Sequence, residues 1–209
     1  MKPIGLVLVF LLLAPLWAAP AAPVERDLGG GLVYVRVHRL PADLPAKPAG
    51  RVAPCVIDVR YVEAADDAAA AFSAWLKFRA NPRAPVFVLA NSETSAPLLK
   101  VLAAGERGAG VVLVGIESDR FRPDVPVKST SADERRAYDA LEKGTALANL
   151  LADHPNKVRH DEASLTRDRP LDPPPADEAA GGTTGSAPVD ATLQRAVHLH
   201  RALVALKKL

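Results

Sequence analysis

The stretch VFVLANSETSAPLLKVLAAGERGAGVVLVG, residues 86–115, decides how the chain is read. It opens on an apolar, valine-rich run and passes through Asn91-Ser92-Glu93-Thr94-Ser95. A helical pattern follows, Gly105 closes it, and a second apolar run ends at Gly115. Short β-branched runs bounded by glycine, proline or charge read as strands. Serine is a favoured helix N-cap, Pro97 sits in a first turn that does not need its N–H, and glycine suits the position after the last turn. A strand, a helix and a strand in this order predict a parallel pair joined by a crossover helix.

The same alternation extends outward. Strands are expected at 32–37, 55–59, 86–90 and 111–115. Between the second and third, ADDAAAAFSAWLKF repeats Ala68, Ala71, Phe72, Trp75 and Leu76 at helical spacing, with Asp66 or Asp67 as its cap. Strands alternating with helices predict an α/β fold with a largely parallel sheet. Residues 132–153 read as helical, with Asp133-Glu134-Arg135-Arg136 as an exposed first turn. The proline-, glycine- and acid-rich run that follows, 168–189, has no apolar periodicity and reads as a flexible linker. The last twenty residues, DATLQRAVHLHRALVALKKL, read as a C-terminal helix capped by Asp190, with Leu193, Val197, His200 and Val204 along one face.

Met1-Lys2, an apolar run over 4–17 and small residues at Ala19 and Ala21 describe a secretory signal peptide, too short for a comfortable membrane span. The expected division is therefore a signal peptide at 1–21, an α/β core at 22–128, a mainly helical extension at 129–167, the linker at 168–189 and the helix at 190–209. Export to a bacterial periplasm or the extracellular space follows, with no stable membrane span after cleavage. About 188 of the 209 residues then remain, enough for one sizeable core. A formal net charge of +2 with scattered basic residues excludes the clustered basic stripe that nucleic acid requires. The single cysteine, Cys55, allows no intrachain disulfide and reads as a small buried hydrophobe.

Few residues suggest chemistry. His198 and His200 stand two apart on a helix, so they point to different sides and cannot share a metal; no cysteine cluster helps them, and no metal or cofactor site is predicted. His38, His154 and His160 lie in polar surroundings, and solvated histidine is the general expectation. Asp58 and Arg60 end the second strand at i and i+2, so both project on one face and can pair. Ser95 stands between a strand and a helix, where unpaired N–H groups can stabilise an oxyanion, and it is equally a good cap.

Four segments, in order, carry a resemblance to the tail-specific (C-terminal processing) serine peptidases of the Clp/crotonase-like superfamily. GLVYVRVHRL is similar to the strand that opens the family's catalytic core. CVIDVRYVEAADDAAAAF resembles its strand end, Gly-Gly turn and helix. The opening stretch resembles its nucleophile segment, and FRPDVPV with DATLQRAVHLHRAL resembles its Pro-Asp-Val segment and closing helix. The resemblance implies a Clp/crotonase-like core, with Ser95 at the nucleophile position. Ala64 and Ala65 fall where the family has an oxyanion-hole Gly-Gly turn, and Asn91, Asp58 and Arg60 support the site.

The insert that carries the family's catalytic lysine is missing. Arg120, the nearest basic residue to that position, stays protonated and cannot act as a base. The reading is a catalytically degenerate, peptidase-like protein that binds polypeptide segments or an active relative, with oligomerisation left open. Two alternatives stand beside it: an active serine peptidase using Ser95 with Lys128 or a histidine such as His38 as base, and a purely structural envelope protein.

Overall fold

A computed structural model describes residues 24–45, 52–105, 107–151 and 188–209. The expected signal peptide, most of the expected linker, His154 and His160 lie outside these residues. The described chain builds a six-stranded sheet: β1 (Val24–Asp27), β2 (Val33–Arg36), β3 (Cys55–Asp58), β4 (Val86–Leu89), β5 (Val111–Gly115) and β6 (Val125–Pro126). The strands lie side by side in chain order. β1 runs antiparallel to β2, and every later pairing is parallel. This is the α/β class that the alternation predicts. The four expected strands are all present, three of them trimmed at their ends. β1, reading VERD, lacks an apolar run, and β6 is a two-residue edge strand holding Pro126, so neither carries a propensity signal.

The order of the strands decides how the helices cover the sheet. A crossover between parallel strands is almost always right-handed. Steps that all go the same way therefore put their helices on one face. α1 (Asp66–Arg79) and α2 (Ala96–Ala103) pack there together, over Val35, Ile57, Val88 and Leu113. The opposite face presents Tyr34, Val56, Phe87 and Val114. It is closed by later chain: α3 (Ser131–Glu142), α4 (Leu147–Leu150) and α5 (Ala191–Ala205), which contribute Leu141, Leu150, Leu193, Ala196 and Val197. The C-terminal helix is thus half of the second core layer. Strands buried on both faces explain why these runs read as continuous rather than alternating hydrophobics.

Several local expectations need correction. α1 begins after Ala65, and no side chain caps it; Asp66 and Asp67 occupy its first turn, where they suit the positive end of the helix dipole. The helix expected over 132–153 breaks after Glu142, because Gly144 takes φ +88° and starts a new turn before α4. The first turn of α3 is not wholly exposed: Glu134 is 3% exposed. His200 is buried at 2% exposure rather than solvated, whereas Val204, on the same face, is 48% exposed. Asp190 caps α5 as expected, its Oδ1 accepting from the Leu193 N–H at 2.9 Å. Cys55 is buried, with the Arg79 Nη2 3.3 Å from its sulfur.

Candidate functional site

In open parallel sheets, ligands bind beyond the carboxyl ends of the strands, at a point where the strand order reverses. Here the order never reverses. The carboxyl ends are filled instead by a buried charge cluster. Arg36 and Asp58 end neighbouring strands in register, on the face closed by α3 and α5. Arg60 follows two residues later and turns back onto the same side. Its Nε donates to Asp58 Oδ1 at 2.9 Å and its Nη2 to Asp58 Oδ2 at 2.7 Å. The same guanidinium reaches Asp190 at the start of α5, with Nη1 to Oδ1 at 3.1 Å and Nη2 to Oδ2 at 2.8 Å. Glu134 Oε1 of α3 lies 3.6 Å from Nη1. The pairing expected of Asp58 and Arg60 is therefore present, and it extends to two partners that spacing alone does not reveal.

Neutral donors complete the cluster. The Tyr34 hydroxyl donates to Asp58 Oδ2 at 2.8 Å, Thr192 to Glu134 Oε1 at 2.9 Å, and Asn91 Nδ2 to Glu134 Oε2 at 3.0 Å. Burial, together with Asp58, pushes the Tyr34 phenol well above its ordinary range, so it stays a donor. Burial alone would lower the Arg60 guanidinium, but Asp190 and Asp58 raise it well above its usual value. Arg60 thus stands among three carboxylates in the place a cation would take.

Ser95 and its surroundings belong to the adjoining loops. Asn91 Oδ1 accepts from the N–H groups of Glu93 and Thr94, each at 3.1 Å, which shapes the turn after β4. The Thr94 hydroxyl accepts from Asn91 N–H at 3.1 Å and donates to the Val59 carbonyl at 3.2 Å. One residue on, the Ser95 N–H donates to the Val62 carbonyl at 3.1 Å, and the Ser95 Oγ accepts from the Ala64 N–H at 3.2 Å. Ser95 is the N-cap residue of α2 by position, yet its side chain makes no capping bond. The hydroxyl oxygen accepts from the neighbouring loop instead, so the expectation of a side-chain cap at Ser95 is corrected.

The family resemblance aligned Ser95 with Ala64 and Ala65, and the fold does bring Ser95 and Ala64 together. Their geometry is closed: the N–H that would face a developing oxyanion faces the serine oxygen. Ala65 has φ −80° and extended backbone, and neither alanine has positive φ. The left-handed residue of this loop is Tyr61, at φ +61°. Such a conformation costs a side-chain-bearing residue roughly 1–2 kcal/mol. Contacts hold the Tyr61 ring in place, edge-on to Tyr138 with centroids 4.6 Å apart and with the Arg135 guanidinium 4.5 Å from its centre.

Among the described residues, no hydrogen bond joins the Ser95 hydroxyl to a lysine, a histidine or a carboxylate. His38 Nε2 lies 3.4 Å from Glu142 Oε1, on α3, and Lys128 is exposed beyond β6. Sequence reasoning missed Tyr34, Thr94, Glu134 and Thr192. Only Glu134 carried a weak signal, as a charge on the buried side of an amphipathic helix. Among the described residues no helix is long and apolar enough to cross a membrane. Comparison with protein-family models, with curated proteins and with solved structures found no match.

Proposed function

We propose that the chain is an exported protein on a tail-specific-peptidase-like plan whose serine no longer acts as a nucleophile, and that it works by binding polypeptide. One observation carries the loss of chemistry: the Ser95 Oγ accepts from the Ala64 N–H at 3.2 Å. A serine nucleophile must give its proton to a base and leave the oxyanion donors free for the substrate. Here the serine oxygen occupies the Ala64 donor, no base among the described residues takes the hydroxyl proton, and Ser95 is 8% exposed. The buried carboxylates of Asp58 and Asp190 are locked onto Arg60. Binding needs none of these groups, because an extended segment can pair with the backbone of an edge strand. β1 lies at one edge of the sheet, and the other edge, β6, is blunted by Pro126.

A serine-reactive fluorophosphonate probe tests the first half, and the expected result is no labelling that depends on Ser95. Labelling lost in Ser95→Ala would instead establish an active peptidase with an unconventional base. The second half is tested by mixing the full chain with unfolded polypeptides and with envelope extract. Association with either is expected, and its absence from both would overturn the binding reading.

A further inference from the structure

Two features meet at the open edge of the sheet: a strand whose charges alternate by face, and an apolar groove where that strand ends. In β1, Glu25 stands opposite Val35 and Arg26 opposite Tyr34. Val35 belongs to the core under α1 and α2, and Tyr34 to the core under α5. Directly opposed residues of an antiparallel pair share a face. Glu25 and Asp27 therefore lie on the α1 side, both exposed, and Arg26 lies half-buried on the α5 side. The Leu28 N–H donates to the Leu32 carbonyl at 2.9 Å. Bonded and unbonded pairs alternate along an antiparallel ladder. Counting back from Leu28, the backbone groups of Arg26 face β2, and those of Glu25 and Asp27 point out of the sheet.

The groove, of about 300 Å³, opens between Leu28 and Gly29 on one wall and Val197, Val204 and Ala205 of α5 on the other. A Cβ at Gly30 would lie 3.4 Å from His200 Cε1, so the β1–β2 turn rests directly on α5 and closes the groove on that side. Val204 is 48% exposed, an aliphatic side chain left open to solvent along this wall. Arg201 is the one charged side chain in the lining. Neither Arg26 nor Arg201 has an ion-pair partner among the described residues.

We infer that β1 and this groove receive an extended polypeptide segment with basic side chains on one face and acidic and aliphatic side chains on the other. The inference rests on the reading of the chain as a polypeptide binder, and it names the surface and the segment. The outward backbone groups of Glu25 and Asp27 pair with the segment, and alternate side chains give specificity. Basic side chains oppose Glu25 and Asp27, a carboxylate opposes Arg26 or Arg201, and an aliphatic side chain covers Leu28 and Val204. Opposite charges across a ladder stabilise it and like charges destabilise it. A second copy of the chain is a poor occupant for that reason. Antiparallel pairing of β1 with itself keeps each face, so it sets Glu25 against Asp27 and Arg26 against its own copy.

Fluorescence anisotropy of the full chain with labelled peptides tests the assignment. A peptide repeating Lys-Glu-Lys-Leu puts lysines on one face and glutamates and leucines on the other, whichever way it runs. Saturable binding below about 1 mM is expected, with the Glu25 and Asp27 amides protected from hydrogen exchange. Glu-Lys-Glu-Leu, with the charges of the two faces exchanged, should bind at least about fivefold more weakly. Lys-Glu-Lys-Ser, without the aliphatic side chain, should lose a similar factor. Arg26→Glu should narrow the preference between the two leucine peptides, and Val204→Asp should weaken Lys-Glu-Lys-Leu several-fold. Neither position is fully buried, and a thermal melt of each variant checks that it folds. Equal binding of the three peptides, no binding of any, a preference unchanged in both variants, or protection confined to other strands would overturn the inference. Unfolded polypeptides that still associated in those cases would leave the polypeptide-binding reading standing, and their failure as well would overturn that reading too. Protection of the same amides by concentration-dependent self-association, without peptide, would assign the edge to a second copy and overturn the inference.

Discussion

The Ser95 hydroxyl ties the start of α2 to the loop after β3, so its removal is a structural event before it is a chemical one. Ser95→Ala leaves the Ala64 N–H without its acceptor in a partly buried site, which costs roughly 1–3 kcal/mol. Urea denaturation should show that loss, and an unchanged midpoint would mean that the bond contributes nothing. Gly115 is a sharper case. A Cβ there would stand 2.2 Å from the Ala90 carbonyl oxygen and 2.7 Å from a Phe121 ring carbon. The backbone contact cannot relax as a flexible side chain would, so Gly115→Ala should destabilise by at least 1–3 kcal/mol, the usual penalty of overpacking, measured in the same way. At Cys55, burial pushes the thiol pKa up, with Arg79 only partly opposing it. A thiol reagent should therefore stay inert toward the native chain and react once urea unfolds it. Prompt labelling of the folded chain would contradict this burial. Cys55 was legible in the sequence because an apolar run predicts its surroundings. Ser95 was legible in position but not in bonding, since the partner that draws its hydroxyl away from the helix lies 31 residues earlier.

Among the elements, β2 to β5 and α1, α2 and α5 could be read directly, because buried strands and amphipathic helices write continuous or periodic apolar patterns. The join between α5 and the sheet could not. It rests on Arg60 and Asp190, which are 130 residues apart. Periodicity says nothing about which polar residues meet across such a distance. Asp190 was identified as a helix cap, and it holds both roles at once, accepting from Leu193 N–H and from both Nη groups of Arg60. Removing one partner of a buried, hydrogen-bonded pair strands the other charge, at about 3–5 kcal/mol. Asp190→Ala should show a loss of that order in urea titrations. Asp190→Asn keeps an N-cap oxygen for Leu193 and one acceptor for Arg60, so it should lose less. Equal losses in the two variants would mean that the charge pairing with Arg60, and not the cap, anchors α5.

At the scale of the whole molecule, a sheet whose strands follow chain order has both crossover helices on one face and depends on α3, α4 and α5 to close the other. α5 carries that closure from end to end, with Asp190 pinned above the strands and His200 buried below them. His200 gives the closure a pH signature whose sign can be worked out. Burial, followed by the nearby Arg201, lowers its pKa in the folded chain below the ordinary histidine value. In the window beneath about pH 6.5, the unfolded chain therefore binds more protons at this position than the folded one. The contribution of His200 to stability is then intact above that window and is lost as the pH falls through it, levelling off only below the folded-state value. The comparison that isolates His200 is with His200→Gln. Urea midpoints taken from about pH 7.5 down to about pH 5 should fall more steeply for wild type than for His200→Gln, because only the former has a buried imidazole to protonate on unfolding. Parallel curves would mean that the imidazole is as easily protonated in the folded chain as in the unfolded one, contrary to its burial under the Gly30 turn.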